Sequence, residues 1–282
     1  DQDFLDEAEF LEQDDIVLNE SERIFDFEFS RFDSGLLFYY VSSTDQRQHM
    51  FWRLFDEKSP TYNPQLASKY GGTIENIYAS VDKFLDRTLQ KMDQDTLLLI
   101  MSDHGFNPYR RSFNLNTWLF DNGYHKLRNP WKQEESSLFD NTDWSRTRAY
   151  GIGLNGLYIN QKGREREGIV AAGADSDSLI RELAQKLEEV VDPKTGERAI
   201  LRAFVAKDVY RGPQVQHGPD IILGFNWGYR ISNASPLGRF PKDVLEDNIK
   251  KWSGDHMAAP EVIPGILVTN RKIKAASPAL YD

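Results

Sequence analysis

The chain has 282 residues, enough to bury a large core as one large domain or two small ones, and a net charge of −10. That charge argues against binding nucleic-acid polymers, which depends on neutralising phosphates with Lys and Arg. Cysteine is absent, which excludes disulfides and thiolate metal sites, and no apolar stretch approaches the ~20 residues that span a bilayer.

Residues 1–31 are acidic and space their apolar side chains as a helix does: Phe4, Leu5, Ala8, Phe10 and Leu11, then Ile24, Phe25 and Phe29. The chain begins at Asp1 without an initiator Met or a signal-like apolar run, so the compartment stays open. We expect this to be the C-terminal portion of a longer protein. Residues 35–41 (GLLFYYV) predict a buried strand, with Phe38, Tyr39 and Tyr40 in the sheet core. Asp45 follows at the strand end, and His49 lies four residues on across the first turn of a helix, so the two face the same way. Such a pair can close on one ion, and it also fits an N-cap Asp beside a surface His.

Residues 73–92 place Ile74, Ile77, Val81, Leu85 and Leu89 on one helical face and lead into a strand at 96–101 (TLLLIM). Strand, helix and strand in succession predict a parallel, right-handed βαβ unit. The second strand stops at Asp103-His104-Gly105, and open α/β sheets put their chemistry in the crevice beyond such strand ends. Gly105 allows a tight turn there. Further on, 114–122 reads as a short helix capped by Asn114, and 149–160 as strand alternation broken by glycines. Residues 177–191 predict an amphipathic helix ended by Asp192-Pro193, while 199–205, 220–225 and 265–269 predict strands. The expected architecture is one α/β domain, a mostly parallel central sheet flanked by helices. Arg110, Arg111, Arg164, Arg166, Asn107 and Asn116 lie near its loops; His125 and His217 read as structural.

A last polar loop, Trp252-Ser253-Gly254-Asp255-His256, precedes the final strand. Three of the five histidines thus fall in loops beside predicted strands, each with an Asp adjacent or one turn away. A metal centre built from Asp45, His49, Asp103, His104 and His256 accounts for that coincidence, and Asp255 fits equally a partner that orients the late imidazole or a solvated loop acid.

The order of these elements resembles the alkaline phosphatase superfamily and, within it, the type I phosphodiesterase/nucleotide pyrophosphatase family. Its members share a D-x-x-x-H element, here Asp45 to His49, then Ser-Asp-His-Gly, here Ser102 to Gly105, then a late His, here His256 in Gly254-Asp255-His256. The resemblance implies an alkaline phosphatase-like fold and two divalent ions, one on Asp45, His49 and His256, the other on Asp103 and His104. It also implies a further Asp and a nucleophilic Thr or Ser upstream of the D-x-x-x-H element. Neither is found before Asp45, and Thr44 is not at the family's position. We therefore expect residues 1–34 to be a lead-in and 35–282 the C-terminal part of such a metallohydrolase domain, completed by an N-terminal remainder.

Two cations about 3.5–4 Å apart hold the entering and leaving oxygens of a phosphoryl transfer. Carboxylate and imidazole ligands suit zinc, and manganese or iron accept the same set. The expected function is hydrolysis of a phosphodiester or nucleotide pyrophosphate in a small substrate. The alternatives are a phosphatase, sulfatase or phosphomutase of the same superfamily, or a non-catalytic module on the same scaffold.

Overall fold

Asp6 starts the first helix, α1 (Glu7–Phe29), of the computed structural model, which describes residues 4–272. Its carboxylate accepts the Glu9 N–H and the Glu9 carboxylate accepts the Asp6 N–H, each at 2.8 Å, a reciprocal capping box. α2 (Ser43–Phe55) and α3 (Pro64–Tyr70) follow, the latter capped by the Asn63 side chain, then α4 (Thr73–Lys91). Met50, Phe51, Leu54 and Ile74 are buried together, with Phe10 and Leu11 of α1 packed against them. Each such burial contributes about 1.5–3 kcal/mol. A second cluster joins the rings of Phe25, Tyr39 and Phe84 at 4.8–5.1 Å between centroids. The buried face of α4 therefore runs through Ile77, Phe84 and Thr88, and Leu89 is exposed. Beyond α4, β1 (Leu99–Met101) is shorter than the predicted strand.

The chain folds as two compact units, one of residues through Phe106 with Lys250–His256 and Ile263 onward, the other of Asn107–Ile249 with Met257–Val262. In the second unit β2 (Asn107–Phe113) and α5 (Leu115–Asp121) precede a hairpin, β3 (Ala149–Gly151) and β4 (Gly156–Ile159). There follow α6 (Ala174–Glu188), β5 (Ile200–Val205), α7 (Ala206–Val209), β6 (Ile221–Phe225), β7 (Gly228–Ile231) and β8 (Leu245–Asp247). One sheet has the order β3-β4-β6-β5, and β2 lies between β7 and β8. α6 buries Leu179, Ile180, Leu183 and Leu187 in a core shared with Phe113, Leu157 and Phe225.

The chain returns to the first unit in β9 (Gly254–Asp255) and β10 (Leu267–Thr269), where Leu99 of β1 faces Thr269. That pairing is antiparallel, as are β2–β8, β3–β4, β4–β6 and β5–β6, while β2–β7 is parallel. The molecule is mixed α/β, and the expectation of a mostly parallel sheet is wrong. Short connections, such as that between β3 and β4, suffice for antiparallel neighbours, whereas parallel ones need long crossovers. The predicted βαβ unit is also absent, because residues 36–41 belong to no strand. Phe38 and Tyr40 are exposed rather than sheet core, as are Leu97, Leu99 and Met101. No helix among the described residues is long and apolar enough to cross a membrane.

Candidate metal centre

Asp45 sits in the first turn of α2 and His49 one turn later, so helical spacing stacks the two side chains. His49 Nε2 lies 3.3 Å from Asp45 Oδ1, and His256 Nε2 lies 3.6 Å from the same oxygen. One donor atom from each of the three falls within 4.8 Å of the others, the one such trio of acids and imidazoles among the described residues.

The His49 ring is fixed on every side. Its Nδ1 donates to the Gly254 carbonyl at 2.7 Å, which orients the ring with Nε2 toward Asp45. Trp252 stacks on one face at 3.6 Å, and Phe106 meets the ring edge-on at 4.8 Å. Gly254 has to be glycine, since a Cβ there would stand 2.3 Å from the Gln48 carbonyl oxygen. Buried Asp255 organises the loop: it accepts the Trp252 Nε1–H at 2.7 Å and the His256 backbone N–H at 2.9 Å. It thereby holds the His256 main chain.

His104 joins from the end of β1, its ring stacked on that of His256 at 3.7 Å and 13°. Its Nδ1 donates to the Gly105 carbonyl at 2.9 Å, and Nε2 stands 3.5 Å from Asp103 Oδ2. The Asp103 side chain is 78% exposed. Gly105 is required by close approach rather than by a special turn, because its N–H donates to Ile263 O at 2.9 Å and a Cβ would stand 2.7 Å from Pro264 O.

Burial pushes the Asp45 carboxyl up, but its hydrogen bond to His49 and the imidazoles of His49, His256 and His104 outweigh this and hold it below the usual range. Burial, reinforced by His104 and His49, lowers His256 against the pull of Asp255 and Asp45. Burial and the nearby carboxylates of Asp45 and Asp103 raise the Tyr40 hydroxyl.

Other residues that the sequence singles out are engaged in structure. Thr44 donates its hydroxyl to Val41 O at 3.0 Å. In the second unit, Asn107 accepts the Gly228 N–H, Asn116 donates to Gly151 O, and Asn114 donates to Asp243 O without capping α5. Arg111 pairs with Asp192 and Asp247, and Arg164 with Asp220 and Glu165. His125 is wholly buried between Ala149 O and the Thr142 hydroxyl, and His217 is exposed in a 3-10 turn. Sequence reasoning missed Trp252, Phe106 and the Gly254 carbonyl. The two rings stand beside recognised motif residues, which is a usable signal, whereas a backbone carbonyl leaves none.

A family model described as type I phosphodiesterase/nucleotide pyrophosphatase matches residues 6–251. No curated protein and no solved structure matches the chain.

Proposed function

This chain belongs to the type I phosphodiesterase/nucleotide pyrophosphatase family, and on that premise we propose that it carries most of a two-metal phosphoester-hydrolysing centre. Membership supports a hydrolase of phosphodiesterase or pyrophosphatase type acting on small phosphoester substrates. In our reading Asp45, His49 and His256 hold one divalent ion, and Asp103 and His104 are ligands of a second. The observation that carries it is the gathering of the first three donors within 4.8 Å. One carboxylate and two imidazoles suit zinc and leave an open position for substrate. Paired ions at such a site supply positive charge to the equatorial, entering and leaving oxygens.

The chain's own groups keep this site ready. The Gly254 carbonyl orients His49, and the Trp252 and Phe106 rings shield that imidazole. The depressed basicity of His256 keeps a ring lone pair open near neutral pH. The exposure of Asp103 supports a second site completed by groups outside this chain. So does the exposed apolar side of the segments leading to the ligands, with Leu36 at 91% and Phe38 at 76%. We infer that a further Asp and the nucleophilic Thr or Ser come from an N-terminal remainder of the same protein. Residues 1–34 are then a lead-in, and 35–282 the C-terminal part of an alkaline phosphatase-like domain.

The test assays this chain and the full-length protein on a chromogenic phosphodiester and a monoester, with added zinc or manganese. Turnover by the full-length protein with little from the chain is expected. Equal turnover by both contradicts the divided site, and none from either points to a non-catalytic module.

A further inference from the structure

Asp14 is the buried acid of α1. It lies three and four residues past Leu11 and Phe10, on the stripe that packs against the cluster around α2. An acid on an apolar stripe needs partners, and Asp14 has two on α2: the Ser43 hydroxyl donates to it at 2.8 Å and Arg47 Nε at 2.5 Å. Arg47 Nη2 also donates to Asp15, and Arg53 pairs with Glu7 farther along the two helices. The Arg47 and Asp14 side chains are both less than a tenth exposed.

Arg47 lies two residues from Asp45 and two from His49, so it points to the far side of α2 from the candidate ligands. The two ends of this helix are secured differently. Toward its C-terminus, the Ser253 N–H donates to His49 O at 2.7 Å and the Arg53 N–H donates to the Ser253 hydroxyl at 2.9 Å. At its N-terminus, Ser42 makes no side-chain capping bond, and the local staple of the turn bearing Asp45 is the Thr44 hydroxyl on Val41 O at 3.0 Å. Asp14 supplies a second from outside, by holding Ser43 in that turn and Arg47 one turn on. The apolar contact of Phe10 with Phe51, 5.9 Å between centroids, attracts α1 to α2 without fixing rotation. A rotation of about 20° at the ~5 Å outer radius of a helix moves a side chain by roughly 2 Å, enough to open a three-ligand site.

We propose that Asp14 is a positioning residue: it sets the first turn of α2, and through it the place of Asp45 relative to His49 and His256. This rests on the reading of those three as metal ligands. A buried ion pair is weak evidence of stability and is better suited to fixing an arrangement, so the effect should appear in metal binding beyond any loss of fold stability.

The experiment loads the full chain, and its Asp14→Ala, Ser43→Ala and Phe10→Ala variants, with Co²⁺. It reads the visible spectrum, the Kd from chelator competition and the metal-free Tm. Asp14→Ala should weaken binding about 10- to 100-fold, the range seen when groups supporting metal ligands are removed, and alter the Co²⁺ band. Ser43→Ala should shift both in the same direction by less, and it serves where Asp14→Ala fails to fold. Phe10→Ala should lower Tm and leave Kd within about twofold. An unchanged Kd and spectrum in Asp14→Ala and Ser43→Ala, with Tm lowered, overturns the proposal. Absence of Co²⁺ uptake by the unsubstituted chain overturns the metal centre and the clamp with it.

Discussion

Strands of the two units are buried to different extents: β2 and β7 almost wholly, β1 and β10 hardly at all. In the second, Phe113, Leu157, Leu183 and Phe225 are wholly enclosed by the sheets and α6. In the first, the segments leading to Asp45 and Asp103 turn Leu36, Phe38, Tyr40, Leu97, Leu99 and Met101 outward. In the second unit Arg111, Arg164 and His125 are engaged in internal pairs. The unit that leaves its strands open assembles acids and imidazoles around one point. Buried strands such as β2 and β7 and the candidate chemistry are thus separated along this chain.

Matched truncations test that contrast most severely. Phe225→Ala should cost about 3–5 kcal/mol in urea unfolding, through lost transfer energy and a cavity. Phe38→Ala, in the other unit, should cost less than about 0.5 kcal/mol because its ring is already in water. Similar losses at the two positions would erase the distinction between the units.

A smaller effect comes from pH. Burial drops the His125 imidazole from 6.5 to about 4, so protons bind the unfolded chain more readily than the folded one in that interval. Stability from this site is intact above pH 6.5 and lost as pH falls toward about 4, by about 3 kcal/mol at ~1.4 kcal/mol per pH unit. The difference between the urea-unfolding profiles of the native chain and His125→Gln isolates this contribution. A flat difference over that range would mean that His125 is hydrated.

The same contrast marks what the sequence revealed. Helices with a strong stripe were legible: 177–191 is met by α6 at Ala174–Glu188, and 73–92 by α4 at Thr73–Lys91. Strands were located but not oriented, since the apolar pattern of 199–205 and 220–225 is the same for either direction of pairing. Residues 35–41 and 96–101 misled because an apolar run signals that burial is wanted, not that the chain provides it. At the centre, Asp45 and His49 follow from helical spacing, and the motifs pointed to His256 and His104. Asp14 and the Gly254 carbonyl did not, because their roles arise from contacts across 29 and 205 residues.

Metal content tests the central claim most directly. Elemental analysis of the purified chain, and of Asp45→Ala, His49→Ala and His256→Ala, should find up to one tightly held divalent ion in the unsubstituted protein. Each variant should lose it, since removing one of three ligands leaves two. Retention of the ion by His256→Ala would contradict the ligand set on which the account rests.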